Sequence, residues 1–166
     1  DYREEIRCGG ESCPLYDVND GRWSKKHINT LINGKIVKGD ENNEFHPDRP
    51  ITRAELITMI NRLDDFEYKK DEKIEFSDIK GHWAEDAITS GIHKGWVIGS
   101  GDDKFRPNDD LTRAEFTVIM NRILNRVPNE ESISENVKEY KDLNVDDWYY
   151  YDFVEACNCH KYKENE

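Results

Sequence analysis

The chain repeats itself at an offset of sixty residues, and no other feature restricts its possible folds so tightly. Trp23 corresponds to Trp83, Gly39 to Gly99, Phe45 to Phe105 and Pro47 to Pro107. Thr52-Arg53-Ala54-Glu55 recurs as Thr112-Arg113-Ala114-Glu115, and Asn61-Arg62 as Asn121-Arg122. A period of this length marks a supersecondary unit that buries its apolar face only against its neighbours. The openings are looser: Leu15-Tyr16-Asp17-Val18, Phe76-Ser77-Asp78-Ile79 and Tyr140-Lys141-Asp142-Leu143, each followed within a few residues by Trp23, Trp83 or Trp148. The third opening has no second half in this sequence. The chain therefore divides into an N-terminal segment 1–14, a first repeat 15–64, a linker 65–75, a second repeat 76–127, a linker 128–139 and a partial third repeat with its tail, 140–166.

Each full repeat reads as helix, loop, helix. The first helix starts near the Trp, with apolar positions at Ile28, Leu31 and Ile32, or at Ala87, Ile88 and Ile92. Asp17, Asp78 and Asp142 suit caps of that helix or its turn. Gly39 and Gly99 each lead a loop of turn formers, and Pro47 and Pro107 keep the approach to the second helix extended. The second helix starts at Thr52 or Thr112, with Glu55 or Glu115 three residues on. This spacing forms a capping box, in which hydroxyl and carboxylate each accept an otherwise orphaned backbone N–H. Leu56, Met59, Ile60 and Leu63, and Phe116, Ile119, Met120 and Ile123, then trace one apolar stripe at helical spacing. The fold class is all-α.

Composition narrows the function. The 166 residues are 36% hydrophobic and 36% charged, with a net charge of −12. A nucleic-acid binder normally carries a basic face, so none is expected as a partner. No run nears the roughly 18 apolar residues of a membrane span, and no membrane insertion is expected. Asp1-Tyr2-Arg3-Glu4-Glu5 is not a signal peptide, which a processed exported chain would also lack. No Ser-His-Asp set, phosphate loop or His-Glu-x-x-His motif is present, and the many acids fall in solvated runs and caps; an enzyme is not expected. Neither acidic loop has the EF-hand ligand order with its closing Glu. No metal site and no cofactor are expected.

Taken together, an aromatic-or-aliphatic-x-Asp-aliphatic opening, a Trp, a Gly-led acidic loop, Phe-x-Pro and Thr-Arg-Ala-Glu resemble the S-layer homology (SLH) domain, over about residues 15 to 160. The resemblance implies helix-loop-helix repeats in a pseudo-threefold helical bundle, or spindle, here with its third repeat incomplete. It also implies location in a bacterial cell wall or S-layer, and binding of acidic secondary cell-wall polysaccharide, often through a terminal pyruvylated N-acetylmannosamine. The residues agree with such a ligand. Arg53 and Arg113 occupy the first helical position, where exposed N–H groups and the helix dipole favour an anion and a guanidinium adds bidentate reach to a carboxylate. Thr52, Thr112, Glu55 and Glu115 serve as caps first and touch a sugar only at its edge. Trp23, Trp83 and Trp148 suit a sugar face, although an aromatic at the start of an amphipathic helix is more often core. Gly39 and Gly99 suit either close approach of a ligand or a tight turn. On the family pattern Arg53 faces the second repeat and Arg113 faces Trp148 and Tyr149, giving two grooves and no third. The N-terminal segment or another subunit would cover the apolar surface that the missing half leaves. A second reading is a self-assembling S-layer or filament subunit, joined to itself or to other surface-layer subunits through the incomplete repeat and the terminal cysteines.

The four cysteines are a departure from the family and lie at the two ends: Cys8, Cys13, Cys157 and Cys159. An even count in an exported chain suggests disulfides, and four allow three pairings. A bridge across one intervening residue is strained, which favours bridges between the terminal segments, in one chain or between neighbours. Within one chain such a bridge closes roughly 150 residues and stabilises by a few kcal/mol in the chain-entropy model. Zinc suits these spacings poorly, and Cys157-Asn158-Cys159-His160 is one residue short of a haem attachment site.

Overall fold

A computed structural model describes residues 15–63, 76–128 and 140–157. Among them are five α-helices: α1 (Lys25–Asn33), α2 (Arg53–Leu63), α3 (Glu85–His93), α4 (Arg113–Ile123) and α5 (Tyr150–Cys157). The only extended pairing among the described residues is an isolated antiparallel bridge between Thr52 and Asp110. The chain is all-α, as its periodicity requires. α1 and α3 are the first helices of the two repeats, α2 and α4 the second helices, and α5 begins two residues after Trp148.

The helices form two compact units. The first contains the described residues up to Ser90 together with Gly99–Asp110; the second contains Gly91–Ile98 and the described residues from Leu111 onward. In the first unit Leu15, Val18 and Ile28 form a buried cluster, with Ile32 and Phe45 packed against it. Ile79, Ile88 and Phe105, which hold corresponding places in the second repeat, are buried as well. In the second unit α4 packs on α5, with Val118, Ile119 and Val154 buried and Tyr140 edge-on to Phe153 at 5.3 Å.

The buried stripe of the second helices differs from the one the spacing predicts. In α2 it consists of Ala54, Leu56, Ile57 and Ile60, while Leu63 is 51% exposed. In α4 it contains Val118, Ile119 and Asn121, while Phe116 is 43% exposed. Leu56, Ile60 and Ile119 are buried as the spacing predicts, and Ala54, Ile57, Val118 and Asn121 are buried beside them. The repeated Asn also makes inward contacts. Asn61 accepts from the Ser90 hydroxyl at 2.9 Å, and Asn121 donates to the Asp152 carbonyl at 2.8 Å. In each unit an amide at the same helical position joins a second helix to the first helix of the following repeat, and a buried amide so paired specifies register as well as packing.

Asp17 and Asp78 do not cap α1 and α3. Asp17 accepts the backbone N–H groups of Phe45 (2.8 Å) and His46 (2.6 Å), and Asp78 accepts those of Phe105 (3.0 Å) and Arg106 (2.7 Å). Both loops need this clamp because their backbones are left-handed at two non-glycine positions: φ is 56° at Asn43 and 55° at His46, and 55° at Asp103 and 59° at Arg106. Such residues persist only where their surroundings hold them. In the third opening Asp142 is exposed, and Asp147 accepts the Asn144 N–H at 2.8 Å.

Candidate functional site: a pocket beside Trp83

The capping boxes form as spaced. Thr52 N–H donates to Glu55 Oε2 at 2.9 Å while Glu55 N–H donates to Thr52 Oγ1 at 3.2 Å, and Thr112 with Glu115 repeats both bonds at the same distances. In α2 the remaining orphan donors are taken too. Arg53 N–H bonds to the Asp109 carbonyl at 3.0 Å and Ala54 N–H to the Pro107 carbonyl at 2.9 Å. The start of α2 therefore offers no free N–H to an anion, and the reading of it as a ready-made anion site is corrected. In α4 the Arg113 and Ala114 N–H groups have no such backbone acceptor among the described residues.

The two candidate arginines lie in different environments. Arg53 is half-buried, with its guanidinium 4.7 Å from the centre of the Phe105 ring and its Nε donating to the Phe105 carbonyl at 3.0 Å. It thereby braces the second repeat's loop. Arg113 is exposed in the second unit, which also holds Trp148 and Tyr149.

A pocket of about 360 Å³ opens in the first unit on the outer side of α2, within the size range of small-molecule sites. Trp83 stands on one side; Phe45 and Met59 line it among the apolar groups; Lys38, Arg49 and Arg62 bring three cations. Glu55, Thr58 and His46 supply further polar atoms. Arg53 is not among its lining residues. Arg62 is fixed by donating Nη1 to the Ile36 carbonyl at 2.8 Å, and Arg49 is paired with Glu55. Burial pushes the Glu55 carboxyl up, but the bonds from Arg49 and Thr52 outweigh it and hold the group below its ordinary value.

The three candidate tryptophans do not enter the core. Trp23, Trp83 and Trp148 are 83%, 63% and 67% exposed; only Trp83 lines this pocket. Gly39 and Gly99 meet a packing need, and neither has a left-handed backbone. A Cβ on Gly39 would collide with Leu15 Cδ2, and one on Gly99 with the Phe76 ring, so each glycine is the seat of its repeat's opening residue. Cys157 is exposed at the end of α5, while Cys8, Cys13 and Cys159 lie outside the described residues, as do most of the two linkers.

His46 sits at the pocket edge on an acidic loop. Its Nε2 is 3.0 Å from Asp40 Oδ2 and 3.8 Å from Glu44 Oε2. The Asp40 bond, despite some desolvation, raises the imidazole's pKa above 6.5. Asp40 also accepts the Asn42 and Glu44 N–H groups at 2.8 and 2.9 Å. Its carboxyl is held down at about 2, first by the Glu44 N–H and then by His46. The acceptor atoms of Asp40 are thus already engaged within the loop, and the cluster reads as a satisfied ion pair to which we assign no metal.

The sequence comparison now decides the family. A profile of the S-layer homology domain matches residues 15–57 and 75–117, more than half of the chain. The chain belongs to the S-layer homology domain family. An SLH-family relative, the cellulosome-anchoring protein of Acetivibrio thermocellus, is 34% identical over 159 residues, covering 93% of this chain and 35% of that protein. The S-layer protein of Bacillus licheniformis is 31% identical over 104 residues, covering 61% of this chain and 12% of its own length. The amylopullulanase of Thermoanaerobacterium thermosulfurigenes is 36% identical over 137 residues, but only 7% of that protein is matched. The chain spans about a third or less of the length of these relatives. No helix among the described residues is long and apolar enough to cross a membrane.

Proposed function

We propose that this SLH chain is a non-catalytic, extracellular anchoring module that holds a surface protein to acidic, pyruvylated polysaccharide of a bacterial cell wall. The relatives named above include an anchoring protein and an S-layer protein, and the pocket beside Trp83 supports the same reading. Its composition suits a sugar acid: an exposed indole for the apolar face of a ring, and Arg49, Arg62 and Lys38 for a carboxylate. Arg62 is the principal anion contact, since its Nη1 is spent on the Ile36 carbonyl and the rest of the fork stays directed by that bond. Arg53 acts one step back by fixing the loop at Phe105. Arg113, exposed at a helix start that keeps two N–H groups without a backbone acceptor among the described residues, serves a second site in the second unit with Trp148 and Tyr149.

Retention on purified wall polysaccharide, with and without its pyruvyl groups, tests this. Arg62→Ala and Arg113→Ala are each expected to weaken binding about tenfold, the effect of a lost charge-assisted hydrogen bond, with helicity unchanged by circular dichroism. Equal retention of the depyruvylated polymer, or undiminished retention of the double variant, would refute the reading.

A further inference from the structure

The two loops share one backbone but differ in charge. Both are left-handed at corresponding residues, His46 and Arg106, and both are clamped there by an Asp of the repeat opening, Asp17 or Asp78. The side chains diverge from that common frame. The second loop carries Ser100, Lys104 and Arg106 where the first carries Asp40, Glu44 and His46. Arg106 is a permanent cation, paired with Asp102 at 2.9 Å. The first loop puts a titratable group at the same place, and that group also lines the Trp83 pocket.

Resting on the reading of that pocket as a carboxylate site, we propose that His46 is its proton gate: charged, it neutralises Asp40 and Glu44 behind it and admits an anionic glycan; neutral, it leaves the field of those two carboxylates to repel one. The groups that face His46 are Asp40 and Glu44 on its own loop, Asp17 from the opening turn, and Lys38, Arg49, Glu55 and Arg62 in the pocket. Imidazole is the side chain whose charge changes near neutral pH. Asp40 stays ionised throughout, since its pKa is about 2. The direction follows. A histidine whose folded-state pKa lies above its ordinary value stays charged up to that raised pKa and loses its charge as pH rises through it. Affinity is therefore greatest on the acid side and falls toward alkaline pH, with the loop tie to Asp40 loosening over the same range.

The test is titration calorimetry of the full chain with a pyruvylated wall-polysaccharide fragment at pH 5.5, 7.0 and 8.5, with Arg113→Ala in every arm so that the first-unit pocket alone reports. Affinity is expected to fall roughly three- to tenfold from pH 5.5 to 8.5, as expected for one charge contact near a protein surface. His46→Arg is expected to bind tightly and without pH dependence, and His46→Gln to bind weakly at every pH. Nuclear magnetic resonance of the ligand-free chain gives a second readout that needs no ligand: the His46 ring is expected to titrate above 6.5, and Asp40→Asn to lower that midpoint. A flat wild-type profile beside a binding His46→Arg variant, or unchanged pH dependence in His46→Gln, would overturn the gate and leave the groove standing. Absence of binding by every variant at every pH would overturn the groove, and the gate with it, even where the imidazole titrates as expected.

Discussion

At Asp17 one carboxylate receives two backbone N–H groups of a left-handed segment, those of Phe45 and His46. Burial pushes this carboxyl up, and the two N–H groups more than offset it, so its pKa lies below the usual 3.8. Asp78 repeats the arrangement with Phe105 and Arg106. A conformation that non-glycine residues rarely adopt is thus held by an acid 28 or 29 residues away in sequence. Removing the acceptor leaves two donors unmet and a strained loop unclamped, a loss of about 1–3 kcal/mol. Asp17→Ala is therefore expected to lower the urea midpoint at pH 7. Because the native pKa is depressed, the carboxylate's contribution is present above the ordinary value and fades as pH falls through the folded one. The gap between wild type and Asp17→Ala should accordingly narrow as pH is lowered from 4 toward 2. A gap independent of pH would show that the side chain acts by packing and not by charge.

At the scale of elements, the starts of α2 and α4 were legible because capping is local. Thr and Glu three residues apart satisfy each other in both helices. What surrounds the caps was not legible, because the contacts are distant in sequence. Pro107 and Asp109 close the start of α2, and Phe105 takes the Arg53 side chain, all more than fifty residues away. The apolar stripe was right at Leu56, Ile60 and Ile119 but not at Leu63 and Phe116, and spacing alone does not reveal that Asn61 and Asn121 bind the next first helix. These differences predict unequal caps. Thr112 is exposed and Thr52 part-buried within a start held by other groups. Thr112→Ala should cost about 1 kcal/mol, an ordinary cap loss, and Thr52→Ala about 2 kcal/mol, the upper part of that range. Denaturant unfolding of the two variants measures both; equal losses would mean that the Pro107 and Asp109 bonds do not couple to the cap.

For the whole molecule, a net charge of −12 opposes any acidic ligand, so binding depends on where cations are concentrated. The internal repeat revealed the helical architecture and pointed to Arg53 and Arg113, since both stand in the recurring motif. The same comparison concealed the pocket. Lys38 and Arg49 face it, yet sixty residues on stand Ile98 and Asp109, so a search for what recurs discards them. The two proposed sites are therefore not copies: one uses Arg62, Arg49 and Lys38 beside Trp83, the other Arg113 at an open helix start in the unit that holds Trp148. Calorimetry with a short pyruvylated fragment should find two sites per chain. Trp83→Ala with Arg62→Ala should reduce that number to one, as should Arg113→Ala, and each variant should keep the enthalpy of the site left intact, since substitutions in separate clusters act nearly additively. Three equal sites would refute the two-site reading, and loss of all binding from either variant alone would mean that the ligand is held by one continuous surface and not by two.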